Sequence, residues 1–198
     1  MTHEWATDII ELNQFDSMLH FIGIFIILHY TFIQLIIPSA RYFTMHILAN
    51  MCIIYFSYEA VPLFLTDPGR AIFSTTDSPN HVPNLITASL HIYHILMYNI
   101  KRIDIIHHYP GFIGNVMNSL YPSDSLQNFT FLFIMGVPGL IDYTLLVLVK
   151  YGYIDIKVEK CVNARLNMYL RLPGLLLSST AIILSLIKHT HLFLSPFH

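Results

Sequence analysis

Long apolar segments separated by short polar ones make up most of this sequence. Six of the segments approach the roughly 20 residues that an α-helix needs to cross a bilayer. Their expected bounds, in chain order, are 17–37, 43–65, 85–100, 105–120, 129–149 and 170–187. The pattern therefore predicts an all-α, polytopic membrane helical bundle with about six transmembrane helices.

The third and fourth segments run together, and the chain must break between them. One straight helix from 85 to 120 would be about 54 Å long, well beyond a hydrocarbon core of about 30 Å. The adjacent cations Lys101 and Arg102 mark the expected break, because both belong in water, and Pro110 marks the alternative. The stretches expected to be loops are 66–84 and 151–167.

The predicted domain organisation is simple. It has an exterior or luminal amino-terminal segment (1–16), one transmembrane domain (17–188) and a short tail (189–198). The first segment carries acids and no Lys or Arg, whereas a signal peptide has a basic start.

The Lys and Arg residues indicate the topology. If the six spans alternate across the membrane, all but Arg70 and Lys188 lie on one side. Cytoplasmic loops carry the excess of cations, so both termini are expected on the luminal or exterior side.

Composition narrows the class of protein further. The chain is 55% hydrophobic and 11% charged, against about 25% charged in soluble domains. Its formal net charge of -2 offers no basic face for nucleic acid. The two cysteines, Cys52 and Cys161, form neither a disulfide framework nor a zinc motif.

Ionisable side chains inside the spans are the candidate functional residues. Burying such a group in the bilayer costs free energy unless it has a charged partner or contacts water. An ionisable side chain within a span therefore indicates a functional site. On helices, His91, His94 and Tyr98 share one face, and so do Asp104, His107 and His108. Glu59 and Asp142 complete the set. Hydrogen bonding between packed helices is the structural alternative.

Several chemistries fit these residue types. A His beside an Asp can serve as a general base, because the carboxylate fixes the tautomer and stabilises the imidazolium. Such a set could deprotonate an amine or alcohol that attacks a thioester, hold a metal, or position a lipid head group. The spacing alone does not choose. Asn163, Asn167 and Arg171 could line a cytoplasmic mouth and meet a phosphate, although a solvated loop explains them equally well.

The order of these residues resembles the TLC family of membrane proteins. The resemblance is carried by His91-x-x-His94, by Asp104-x-x-His107-His108, and by Asp142 in a span that contains Gly-Val-Pro-Gly (136–139). The family includes ceramide synthases, translocation-associated proteins and small lipid-homeostasis proteins. The resemblance implies about six helices around a polar central cavity.

The resemblance also implies roles for individual residues. His107 and His108 match the paired histidines of ceramide synthases, which are implicated in acyl transfer from acyl-CoA, and Asp142 matches a later acidic position. This sequence departs from those enzymes after the pair, where Tyr109-Pro110-Gly111 follows, and after Asp142, where no second acid follows. The departures favour a lipid-binding protein of membrane-lipid homeostasis, with His91, His94, Tyr98 and Glu59 lining the cavity.

Two enzymatic functions are the alternatives. In an acyl-CoA-dependent acyltransferase of ceramide synthase type, the catalytic residues would be His107, His108, Asp142 and Asp104, with acyl-CoA as co-substrate. In a diiron lipid hydroxylase, histidine clusters would bind iron. A b-type haem held by two histidines ranks last.

The membrane-protein class indicates which cofactors, partners and cellular location to expect. We expect no firm cofactor and no metal ligand set. The expected partners are membrane lipids, with a second copy of the chain or another membrane protein as further candidates. The expected location is the endoplasmic reticulum or another internal membrane.

Overall fold

The computed structural model describes residues 14–73, 80–99 and 124–194, and between the last two ranges the positions 102, 105, 109, 111, 113 and 115. All regular secondary structure in these residues is helical. The α-helices, in chain order, are α1 (Gln14–Leu28), α2 (Arg41–Ser57), α3 (Ala60–Thr66), α4 (Pro68–Phe73), α5 (Val82–Met97), α6 (Asp124–Phe131), α7 (Val137–Lys150), α8 (Ile156–Leu166) and α9 (Leu172–Leu194). Three π-helical turns continue α1 (His29–Ile33), join α6 to α7 (Leu132–Gly136) and join α8 to α9 (Asn167–Arg171). An α-helical turn (Gln34–Ile36) and a 3₁₀ turn (Pro38–Ala40) lead from α1 to α2.

Three continuous helices in the described residues are long and apolar enough to cross a membrane: Asp16–Ile36, Ser125–Lys150 and Ile156–Lys188. The bent pair Pro38–Ser57 and Ala60–Thr66 passes the same test when taken together. α5 has 16 residues, about 24 Å of helix, which is less than a hydrocarbon core of about 30 Å. An all-helical protein with membrane-type helices is confirmed. Six spans stay a prediction, because most of the fourth, 105–120, lies outside the described residues.

The bend between α2 and α3 has an identifiable cause in the backbone. The two helices meet at 42°, and Pro62 lies three residues into α3. Proline has no N–H, so the Tyr58 carbonyl loses its helical donor four residues on. That carbonyl instead accepts from the N–H of Val61 at 3.2 Å. The helix therefore breaks at 58–59, before the proline.

Both stretches predicted as loops contain helix, and those predictions are wrong in part. α4 lies within 66–84, and α8 occupies most of 151–167. α8 is helical because Asp155 caps it: the Asp155 carboxylate accepts from the N–H of Lys157 at 2.7 Å. The charges in this stretch thus belong to a capped helix.

A tight turn between α7 and α8 sets how the two helices meet. The N–H of Gly152 donates to Val149, and the N–H of Tyr153 donates to Leu148. These two bonds form a Schellman motif, whose left-handed residue is Gly152 at φ 75°. The turn folds α8 back so that Glu159 reaches α7.

The bundle is apolar at its centre and also on its outside. Its core lies where α1, α2, α5 and α6 meet, and its buried residues are Phe25, Ile33, Met45, Ala49, Ile53, Ile86, Leu90, Tyr93 and Phe131. α9 exposes Leu175, Leu176, Leu177, Ile182, Ile183 and Leu184. Exposed aliphatic side chains at this density fit a surface that faces lipid.

α2 runs antiparallel to both α5 and α7. Along α2, Tyr42 contacts His94 and Phe56 contacts Asn80. Residue numbers therefore rise along α2 while those of its contacts in and before α5 fall. His46 likewise contacts Tyr143, whereas Ile54 lies beside Gly136. The start of α2 and the ends of α5 and α7 therefore lie at the same end of the bundle.

Candidate functional site

A pocket of about 520 Å³ lies between α2, α5, α6, α7 and the π-turn after α8. Part of its wall is apolar, formed by Leu90, Phe131, Ile134 and Met135, and the rest is polar. The polar lining residues are His46, Asn50, Thr87, His91, His94, Asn115, Thr130, Asp142, Tyr143 and Arg171. Three of the predicted site residues, His91, His94 and Asp142, thus line one pocket.

Stacked rings form one wall of this pocket. Tyr143 of α7 stacks on His46 of α2, with ring centroids 3.9 Å apart. His46 lies 4.5 Å from His94 of α5, and His94 stacks on Tyr42 at 4.5 Å. Both imidazoles are buried. The stack holds three helices together while it presents two imidazoles to the pocket.

His91 has a defined orientation. Its Nδ1 lies 2.6 Å from the Thr87 carbonyl. A carbonyl only accepts, so Nδ1 carries a hydrogen, and Nε2 of the neutral ring is then an acceptor. Nε2 faces Gly111, where an added Cβ would lie 2.8 Å away. The glycine therefore makes room for this imidazole.

Asn50 and Gly139 form the closest contact between α2 and α7. A Cβ at 139 would lie 2.6 Å from Nδ2 of Asn50, so any larger residue would have to displace this amide. Asn50 is 1% exposed, and its Oδ1 accepts no hydrogen bond from a described residue. This oxygen is therefore a buried acceptor at the pocket wall.

Arg171 lies at the polar end of the pocket and is held by several acceptors. Pro138 has no N–H, so the Ile134 carbonyl lacks its usual helical donor. Nε of Arg171 donates to that carbonyl at 3.2 Å. Nη1 donates to the amide oxygens of Asn163 (3.1 Å) and Asn167 (2.6 Å). These contacts fix the guanidinium beside the pocket, as part of the predicted mouth.

Asp142 faces the remaining nitrogen of this guanidinium. Its Oδ2 lies 3.8 Å from Nη2 of Arg171, an ion pair too long for a direct hydrogen bond. Behind Asp142, the carboxyl group of Glu159 lies within hydrogen-bonding reach. Glu159 is 0% exposed, and Lys160 pairs with it at 3.1 Å from the surface side. Two acids and two cations therefore cluster at this end of the pocket.

Two of the predicted cavity residues lie elsewhere. Glu59 was expected to be buried, but it is exposed at the break between α2 and α3, where the Tyr58 hydroxyl donates to it at 3.1 Å. The break leaves this carboxylate on the surface of the bundle and not between helices. Tyr98 is half-buried beyond the end of α5, and its hydroxyl lies 3.4 Å from that of Tyr93.

The histidine pair of the family resemblance falls outside the described residues. This applies to Asp104, His107 and His108, so their catalytic role stays a prediction. The sequence did not point to several residues of the site, among them His46, Asn50, Tyr143 and Glu159. His46 and Asn50 are spaced i and i+4 in an otherwise apolar span, and this polar pair was a signal for one helical face.

In the part of the chain that the structure describes, no three His, Cys, Asp or Glu side chains group together as a metal site would require. Comparison with protein-family models, curated proteins and solved structures gives no match. The class of protein thus rests on the fold: an all-helical chain whose apolar helices could cross a membrane.

Proposed function

We propose that this chain is an integral membrane protein of the TLC type, with six helices around the pocket, and that it binds a membrane lipid there as part of membrane-lipid homeostasis. The observation that carries the proposal is a single pocket with an apolar wall and a charged end. An amphipathic ligand likewise has an apolar part and a charged part.

The size of the pocket supports a lipid ligand. Small-molecule sites usually enclose about 300–1,000 Å³ and combine apolar walls with a few convergent polar groups. A pocket of about 520 Å³ has room for a head group and the first part of its chains. The remaining length of the chains would then lie along the bundle surface.

The charged end argues for a functional pocket over a purely structural one. Charged side chains are rare within membrane proteins because each costs about 2.5–3.5 kcal/mol or more at the helix centre. Arg171 and Asp142 are nevertheless placed together, with an ion pair that stays open at 3.8 Å. At this distance neither group donates directly to the other, so a ligand atom can bond to either of them.

The test is lipid retention by a variant with a filled pocket. Ile134→Trp adds a large side chain at the pocket wall, whereas Ile141→Trp makes the same change at an exposed position of α7. Native mass spectrometry in mild detergent should find bound lipid on the wild type and on Ile141→Trp, and little on Ile134→Trp. Equal retention by all three proteins would contradict lipid binding in this pocket.

Acyl transfer from acyl-CoA is the second candidate function. It is favoured by the presence of three imidazoles, on His46, His91 and His94, in the same pocket as Asp142. An imidazole would take the proton from an attacking amine or hydroxyl, the acyl group would move to that atom, and coenzyme A would leave as the thiol. His107 and His108 stay candidates for this base by the family resemblance.

A single-turnover assay separates the two functions. The purified protein would be mixed with a radiolabelled acyl-CoA and an extract of membrane lipids. General-base catalysis contributes about 10²–10⁴-fold, so an acyltransferase should lose that factor in His94→Ala or His107→Ala. Release of no coenzyme A by the wild type leaves lipid binding as the function.

A further inference from the structure

We infer that the pocket selects a zwitterionic lipid whose head group carries both an anionic oxygen and a primary ammonium. This inference rests on the proposed lipid-binding function and specifies its ligand. Two features carry it: the polar end of the pocket holds groups of both charge signs, and the Arg171 guanidinium lies beside the buried acceptors of Asp142 and Asn50.

The first feature is the presence of both charge signs. Asp142 and Glu159 contribute two acids, and Arg171 and Lys160 contribute two cations, all linked by the contacts described above. The cluster therefore offers a ligand both a negative and a positive group. A purely anionic head group would lie beside two carboxyl groups, and a purely cationic one beside the guanidinium. A head group with both charges complements both ends.

The donor side of the site is Arg171. Its Nε and Nη1 donate to Ile134, Asn163 and Asn167, which fixes the plane of the guanidinium. Nη2 faces Asp142 across 3.8 Å. A phosphate oxygen of the ligand would accept from Nη2, a charge-assisted hydrogen bond of the kind that arginine forms most readily.

The acceptor side consists of Asp142 and Asn50. Oδ1 of each side chain is buried and receives no hydrogen bond from a described donor. Asn50 packs on Gly139, one helical turn before Asp142 on α7, so the two oxygens lie on the same wall. Buried acceptors without donors are costly. A primary ammonium has three N–H groups and satisfies both.

Methylation of the ligand's nitrogen tests this inference without changing the ligand's charge. The probes are phosphatidylethanolamine, its N-monomethyl and N,N-dimethyl derivatives, and phosphatidylcholine, all with identical acyl chains, together with phosphatidylglycerol. Affinity for the full-length protein in detergent should fall mainly at the second and third methyl groups, because the N-monomethyl ammonium still has two N–H groups for the two acceptors. We expect about a tenfold loss or more from the primary to the trimethylated lipid, because a hydrogen bond to a charged group contributes about 1.5–3 kcal/mol.

Two variants assign the selectivity to residues. Asp142→Asn should reduce the difference between the primary and trimethylated lipids to about twofold, whereas Arg171→Gln should weaken both by about tenfold. Arg165→Gln removes an exposed cation from α8 and should leave binding unchanged. The methylation series on the wild type tests the inference even if Asp142→Asn does not fold.

Other outcomes overturn the inference in distinguishable ways. Equal affinity for the four lipids of the series, or tighter binding of phosphatidylglycerol, overturns the zwitterion selectivity and leaves lipid binding intact. Binding of none of these lipids, together with equal lipid retention by the tryptophan variants, overturns both the inference and the proposed function.

Discussion

The rings of His46 and Tyr143 lie face to face, with centroids 3.9 Å apart and planes within 5° of parallel. One ring belongs to α2 and the other to α7, so the stack joins the two helices that close one side of the pocket. His46 contacts His94 on its other side. The position of an imidazole in the pocket therefore depends on a tyrosine ring of another helix.

Loss of the Tyr143 ring should destabilise the bundle. Tyr143→Leu should lower the free energy of unfolding by about 1 kcal/mol, because an aromatic pair contributes about 0.5–1.5 kcal/mol beyond its buried area. Tyr143→Phe keeps the ring and should stay near the wild type. Thermal unfolding in detergent measures both. Tyr169→Leu, at a position that is 73% exposed, is the control. Equal stability of Tyr143→Leu and Tyr143→Phe would rule out a role for the stack.

A glycine-to-alanine change should raise the free energy of unfolding on one helix face and lower it on another. Gly23→Ala adds a Cβ that meets nothing within 4 Å, so it should stabilise the protein by up to about 1 kcal/mol through helix propensity. Gly139→Ala should destabilise it, because the Cβ would lie 2.6 Å from Nδ2 of the buried Asn50. Thermal unfolding of the two variants gives the comparison. Stabilisation by both would show that Asn50 moves aside freely.

A double variant identifies the cause of the Gly139 effect. Asn50→Ala removes the amide that the new Cβ would meet. The combination Asn50→Ala with Gly139→Ala should therefore be more stable than the sum of the two single changes predicts, as expected for residues in contact. Additive effects would place the strain of Gly139→Ala elsewhere.

The sequence predicted the helical class and three of the pocket residues because both depend on local pattern. Apolar runs of span length determine the class, and His91 and His94 share a helical face whatever the tertiary packing. The partners of these residues were not predictable in this way. That His46 meets His94, and Glu159 meets Asp142, depends on contacts between helices far apart in sequence, and periodicity carries no such information.

The loop predictions failed for a different reason. The stretch 151–167 is rich in charge, and charge alone does not distinguish a loop from an exposed helix. The local helix signals were present: Asp155 at a capping position, Glu159 in the first turn and Arg165 in the last. The prediction of a buried Glu59 is wrong because the helix breaks at 58–59. Pro62 causes this break, since it cannot donate to the carbonyl four residues before it.

The turn at Gly152 should be sensitive to side-chain type. Gly152 has φ 75°, where a Cβ costs about 1–2 kcal/mol. Gly152→Ala should lower the free energy of unfolding by about that amount, and Gly152→Asn should lower it less, since asparagine tolerates this region. Chemical denaturation in detergent distinguishes the two. Equal losses would mean that the left-handed conformation is not what requires glycine here. Lipid selectivity should also weaken, because the turn carries Glu159 to Asp142.

Cysteine labelling tests the proposed topology, with both termini luminal or exterior. Cys161 is exposed on α8, in the cation-rich stretch expected on the cytoplasmic side. In a Cys52→Ser background it is the single thiol of this sequence. In sealed, right-side-out microsomes of the endoplasmic reticulum, a membrane-impermeant maleimide should modify Cys161 without detergent. A cysteine appended after His198, in a variant that also carries Cys161→Ser, should react only after detergent is added. Labelling of the appended cysteine in intact vesicles would place the carboxyl terminus on the cytoplasmic side and contradict the proposed topology.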